Sequence, residues 1–199
     1  ALISNTTGGN NTAVGKGALD ANTTAVSNTA VGAACLTTNT TGASNVAMGV
    51  SALEGNTTGD QNVAFGNNSL GSNTTADNNT AVGHNSLVAN TTGTENVAIG
   101  MQSCDAQTTA SYNTALGFDT LSANVLGSRN VAIGRAALQV MNPASAVNMY
   151  NVAIGYAAGE GVTTGVQNTL IGGLAGDAIT TGGGNVAVGY LALTANTTA

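Results

Sequence analysis

The sequence predicts an all-β chain wound into a parallel β-solenoid of about eleven coils, each about 17 residues around. Three observations predict it. A five-residue phrase recurs at a fixed period, a second apolar column keeps step with it, and every charge falls at a few positions of the repeat.

The phrase opens at Asn11, Asn28, Asn45, Asn62, Asn79, Asn96, Asn113, Asn130, Asn151, Asn168 and Asn185. Its fifth position is Gly15, Gly32, Gly49, Gly66, Gly83, Gly100, Gly117, Gly134, Gly155, Gly172 and Gly189. The copies start 17 residues apart, except for the step of 21 from Asn130 to Asn151. Counting from the Asn, position 2 is Thr or Val, position 3 is Ala except for Leu170, and position 4 is a larger apolar residue such as Val14, Phe65 or Ile99. Thr, Val and Ile favour a short strand over a helix. In such a strand positions 2 and 4 share one face and positions 1, 3 and 5 the other. The invariant Gly ends the strand, through a positive φ or a close backbone approach.

Position 9 is the second column, with Leu19, Leu36, Leu53, Leu70, Leu87, Cys104, Leu121, Leu138 and Leu193. It becomes Gly159 and Gly176 in two coils, where position 12, usually Asn, becomes Val162 and Ile179. Such volume exchange is expected of side chains that fill one interior. Positions 2, 4 and 9 are therefore expected to be buried. The run Asn-Thr-Thr-Gly, as at Asn39–Gly42, is turn chemistry. Its glycosylation-sequon pattern is secondary to that role. The invariant Asn of position 1 reads as a ladder of stacked amides.

The charged residues sit at position 6 (Lys16, Arg135), 7 (Asp119), 10 (Asp20, Glu54, Asp105, Glu160, Asp177), 16 (Asp60, Asp77) and 17 (Glu95, Arg129). Unpaired charges avoid interiors, so positions 6, 10, 16 and 17 are expected at solvent-facing turns. Coils stacked at about 4.8 Å would make a rod about 50 Å long. The region 1–199 reads as a single solenoid, with a loop insertion at 141–150 that bulges from one turn. The chain begins and ends mid-coil without an atypical capping repeat, which is expected of a slice of a longer fibre.

Composition narrows the function classes. The chain is 42% apolar in strict register, which does not fit disorder. A net charge of −6 argues against nucleic-acid binding. No apolar run reaches the roughly 20 residues of a membrane-spanning helix, so no membrane contact is expected of this segment. The single histidine, His84, sits at a turn, and no Ser/His/Asp arrangement forms around it, so no enzyme and no cofactor are expected. Cys35 and Cys104 lie four coils apart, about 19 Å, too far for a disulfide. Asp60, Asp77 and Glu95, or Glu160 and Asp177, fall on neighbouring coils where carboxylates could share Ca²⁺. A solvated acidic edge is the simpler reading, because the Gly-Gly-x-Gly-x-Asp calcium repeat is missing.

Position 3 carries an expectation about partners. Ala13, Ala30, Ala47, Ala64, Ala81, Ala98, Ala115, Ala132, Ala153 and Ala187 form a column on the face opposite positions 2 and 4. An outward strip so smooth would let another copy's backbone approach closely. The competing reading confines Ala by a tight turn inside its own coil.

The phrase Asn-(Thr/Val)-Ala-(Val/Ile)-Gly, followed by Ala-Leu and a Gly-bearing turn, resembles the head repeats of YadA-like trimeric autotransporter adhesins. It is similar also to repeats of phage tail-fibre proteins. In those heads the phrase is Ser-Val-Ala-Ile-Gly and the coil is shorter; here Asn replaces Ser, and Asn-Thr-Thr-Gly lengthens the coil. The resemblance covers essentially the whole chain. It implies a left-handed β-roll, three identical chains, and an extracellular fibre, anchored in an outer membrane or mounted on a virion tail, that binds a host receptor, matrix or glycan. The expected function is a structural and adhesive fibre segment. The alternative is an ice-binding solenoid that orders water on its Thr columns at positions 13 and 14, which Val125, Leu126, Asn142 and Pro143 interrupt.

Overall fold

The computed structural model describes residues 1–198. The three-residue strands fall at positions 2 to 4 of the phrase: β1 (Thr12–Val14), β2 (Thr29–Val31), β3 (Val46–Met48), β4 (Val63–Phe65), β5 (Thr80–Val82), β6 (Val97–Ile99) and β7 (Thr114–Leu116). They continue as β9 (Val131–Ile133), β11 (Val152–Ile154), β12 (Thr169–Ile171) and β13 (Val186–Val188). These strands form one eleven-stranded parallel sheet in chain order. Its register pairs like with like, Ala13 with Ala30 and Ile99 with Leu116. One turn of about 17 residues separates neighbouring strands, so the molecule is a parallel β-solenoid. Two short strands, β8 (Gly127–Ser128) and β10 (Val147–Asn148), pair separately where the period lengthens.

The strands face the opposite way from the sequence expectation. Positions 1 and 3 point inward; positions 2 and 4 point out. Ala30, Ala47, Ala64, Ala81, Ala98, Ala115, Ala132 and Ala153 are fully buried and Ala187 nearly so, while Ala13 on the first coil is half-buried. The Ala column is therefore the lining of its own coil and not an exposed strip for a partner. Large residues of position 4 are turned outward, with Val14 57%, Met48 44% and Leu116 44% exposed. The reason is width. Each coil is closed by corner residues in left-handed backbone conformation at positions 7, 9 and 17, for example Ser51, Leu53 and Gln61. Across that narrow section the Leu of position 9, fully buried from Leu19 to Leu138, leaves room opposite it for a methyl group only.

Two amide ladders fill the rest of the interior. Each position-1 Asn accepts a hydrogen bond from the next Asn backbone N–H, as Asn45 Oδ1 does from Asn62 at 2.9 Å. Its Nδ2 donates to the carbonyl of position 15, as Asn62 does to Ala76 at 2.8 Å, except at Asn130, ahead of the insertion, which donates to Asn113 Oδ1 and the Ser128 carbonyl. The Asn of position 12 donates to the position-12 amide of the preceding coil and to its own position-15 carbonyl, as Asn56 does to Asn39 and Gly59. Buried polar atoms are costly unless paired; the position-12 ladder pairs them from Asn5 up to Asn90, whose Oδ1 is left without a partner because Gln107 donates to the Ala110 carbonyl instead.

The position-5 glycines have φ between 124° and 143°. A Cβ at Gly83 would stand 2.5 Å from the Gly100 carbonyl oxygen of the next coil. Both reasons for glycine therefore apply, a positive φ and a backbone approach that admits no side chain. The exchange between positions 9 and 12 is also present, with a third member. A Cβ at Gly159 would lie 2.7 Å from Leu170 Cδ1 and 3.4 Å from Val162 Cγ2; one at Gly176 would lie 2.7 Å from Leu170 Cδ2 and 3.0 Å from Ile179 Cδ1. Leu170, the exception at position 3, fills the space that two missing leucines vacate. In the insertion, Ala144–Asn148 are exposed, whereas Met141, Pro143 and Met149 are buried. Part of the insertion is thus packed core, not only a bulge.

Candidate functional site

The outward face of the sheet is the main unpartnered feature of the molecule. Its centre is the double column of positions 2 and 4, with half-buried Val31, Val82, Ile99, Ile133 and Ile154 among exposed Val14, Met48, Leu116, Ile171 and Val188. The column runs over all eleven strands. At about 4.8 Å per strand and about 20 Å from position 17 across to position 6, the whole face measures about 1,000 Å² with its polar borders included, and the column of positions 2 and 4 is about a third of it. Isolated exposed apolar residues are ordinary, but a continuous face above a few hundred Å² marks an interaction surface. Sequence reasoning placed these side chains inside. The signal that could have reversed it was Leu170. The only large residue at position 3 occurs in the coil of Gly176, one coil after Gly159, which marks position 3 as interior.

The Thr columns behave differently from each other. At position 13 the hydroxyl donates to the carbonyl of the next coil's Thr, as Thr40 does to Thr57 at 3.0 Å and Thr57 to Thr74 at 3.0 Å. Those threonines are half-buried. At position 14, Thr24, Thr41, Thr58, Thr75 and Thr92 are exposed, and half-buried Leu126 breaks the column.

Asp60 and Asp77 are held by the protein itself. Asp60 Oδ1 accepts from the Ala43 N–H at 2.6 Å, and Asp77 Oδ1 from the Asp60 N–H at 2.7 Å. Ser111 and Ser128 continue this position-16 ladder with their hydroxyls. The carboxylates proposed for Ca²⁺ at Asp60 and Asp77 thus cap backbone donors of the preceding coil. Glu95 is exposed one position on. At position 10, expected at a solvent-facing turn, Asp20, Glu54, Asp105, Glu160 and Asp177 are half-buried. One oxygen of Asp105 and one of Asp177 are buried and accept no hydrogen bond. Burial, with the nearby Asp119 charge adding to it and backbone N–H groups opposing, raises the Asp105 carboxyl above its ordinary range. Among the described residues no three His, Cys, Asp or Glu side chains converge as metal ligands. Asp20 pairs with the Ala1 amino group at 3.2 Å.

Cys35 and Cys104 are buried free thiols. Burial pushes Cys35 up to about 11 and Cys104 up to about 12, so both are protonated fillers of the coil. His84 is exposed. No helix is long and apolar enough to cross a membrane among the described residues. Compared with family models, with curated proteins and with solved structures, the chain matches none.

Proposed function

We propose that this chain is a structural and adhesive segment of a surface-exposed fibre, in which three copies stand side by side and close over their apolar sheet faces. The observation that carries this reading is the continuous outward column of positions 2 and 4. The whole face around that column, about 1,000 Å² with its polar borders, is of the size of the roughly 800 Å² per partner of a stable protein–protein interface. The column carries no charge, and its Val, Ile, Leu, Met and Phe65, interleaved with Thr at position 2 of five coils, suit an interface core. A parallel in-register sheet presents the same side chains at every level, which favours identical rods aligned along their length. The number three, the extracellular setting and the choice between bacterial surface and phage tail come from the family resemblance. The segment's own contribution is length and stiffness, because each coil rests on its neighbours alone.

The ice-binding alternative has less support, since the hydroxyls of position 13 are spent between coils and Leu126 interrupts position 14. Light scattering on the purified chain tests the fibre reading. A mass three times 19.2 kDa is expected, and a stable 19.2 kDa monomer at micromolar concentration overturns it. Ile99→Asp, on the outward column, should yield a folded monomer by circular dichroism, whereas Ala98→Glu should prevent folding, because it buries a charge in the coil.

A further inference from the structure

We infer that the seam between neighbouring copies, at the level of β9, is a binding site for an acidic saccharide. This inference rests on the side-by-side assembly proposed above. The face is bordered by two columns, position 17 just before each Asn and position 6 just after each Gly. On the first five strands these columns hold no Phe, Tyr or Arg and a single cation, Lys16. On β7, β9 and β11 all six places are aromatic or Arg: Tyr112 and Phe118, Arg129 and Arg135, Tyr150 and Tyr156. In a chain that is 3% aromatic and has three Lys and Arg in all, this concentration is a local feature and not a property of the repeat.

The geometry is organised. The Arg129 guanidinium lies 4.3 Å from the centre of the Tyr112 ring, and its Nε donates to Asn148 Oδ1 at 3.2 Å. Asn148 belongs to the insertion, so the one break in the period steadies this arginine. Arg135 stands between Phe118 at 5.6 Å and Tyr156 at 5.7 Å, and its Nη1 donates to the Tyr156 hydroxyl at 3.3 Å. Both arginines are exposed. The only ion pair among the described residues joins Ala1 and Asp20, so neither guanidinium has a carboxylate partner. The cation–π contacts hold each guanidinium beside its rings while leaving most of its five N–H donors free for an anion.

Rotational symmetry supplies the rest. In a cyclic assembly closed through positions 2 and 4, the position-17 edge of one copy meets the position-6 edge of the next at the same level. Arg129 of one copy then faces Arg135 of its neighbour, with tyrosine and phenylalanine rings above and below. Two like charges at one seam repel unless an anion lies between them, and a planar carboxylate fits two guanidinium forks. The flanking rings suit the C–H face of a sugar. A densely charged polyanion fits poorly, because each copy carries a net charge of −6.

The test uses the full chain, with mass measured first by light scattering and binding by calorimetry. The probes are 3′-sialyllactose, neutral lactose and a tetraglutamate peptide. The expected result is a trimer that binds sialyllactose, with lactose and tetraglutamate each at least about tenfold weaker; Arg129→Ala and Arg135→Ala should each weaken sialyllactose binding by about tenfold or more and keep the trimer mass. Trimers co-refolded from the two variants should regain binding, because some of their seams contain both arginines. A trimer that ignores sialyllactose, or binds tetraglutamate as well, overturns the site and leaves the fibre reading standing. Loss in both variants without recovery on mixing overturns the shared seam. A monomeric mass overturns the assembly and this site with it.

Discussion

At the scale of single residues, the fold rests on positions where one atom too many is excluded. Gly83→Ala puts a Cβ 2.5 Å from a backbone oxygen and forces a side chain onto a φ of 135°. The oxygen belongs to the next coil and cannot rotate away. Urea unfolding should show a loss of more than about 3 kcal/mol, beyond the ordinary range of point substitutions. Asp105 is the opposite case, a residue the fold tolerates at a cost. Its folded-state carboxyl binds a proton more readily than the unfolded one, mainly because burial disfavours the charge. The folded chain therefore holds more protons as pH rises above the ordinary carboxylate range, and stability falls with pH across that window up to the raised value. Asp105→Asn should raise the melting temperature at pH 7 and flatten that dependence, as scanning calorimetry at several pH values would show. Unchanged melting at pH 7 would mean that the buried oxygen is solvated.

At the scale of the coil, volume is shared among residues distant in sequence. Leu170 reaches the spaces beside Gly159 and Gly176 at once. Leu170→Ala should cost about 2–5 kcal/mol by opening a cavity. Gly159→Ala alone should also destabilise, because its methyl group meets Leu170. The double variant should lose less than the sum, with a coupling of about 0.5–3 kcal/mol in a denaturant double-mutant cycle. Strict additivity would show that the two side chains do not share a space. The exchange between positions 9 and 12 was legible from the sequence, since Val162 and Ile179 appear where Leu is missing. The part played by Leu170 was not, because a strand of three residues offers two self-consistent orientations. Val and Ile inside with Ala outside is as good a pattern as the reverse in every coil but that of Leu170. The amide ladder at position 1 was legible, and position 12 was legible as interior and as turn, but not as a second amide ladder, which Asn56 shows.

At the scale of the whole rod, stability is a sum over coils and their contacts, so the unit of tolerance is the period. Deleting residues 45–61, one complete coil, should leave a folded protein with the same strand content per residue by circular dichroism. Deleting only residues 45–52 should unfold the chain locally or entirely, because Asn, Ala and Leu would stack on the wrong partners. Equal folding of the two deletions would contradict in-register stacking. The insertion after Val140 is where the rod departs from this rule. It adds Met141 and Met149 to the interior and Asn148 to the Arg129 contact. Composition at Val140–Tyr150 marked an irregularity but not its two roles, which depend on which way each side chain turns.

The period, the class of fold and the register of the stack follow from the sequence alone. Parallel pairing of stacked coils demands equal lengths, and a repeat of 17 residues is that demand written in residues. Which face is inside was decided by the tertiary structure. The corners at positions 7, 9 and 17 set the width of the coil, and with Leu in place only Ala fits across it. That single outcome turns the valines and isoleucines outward and leaves the sheet face, with its flanking tyrosines and arginines, as the surface on which the proposed assembly rests.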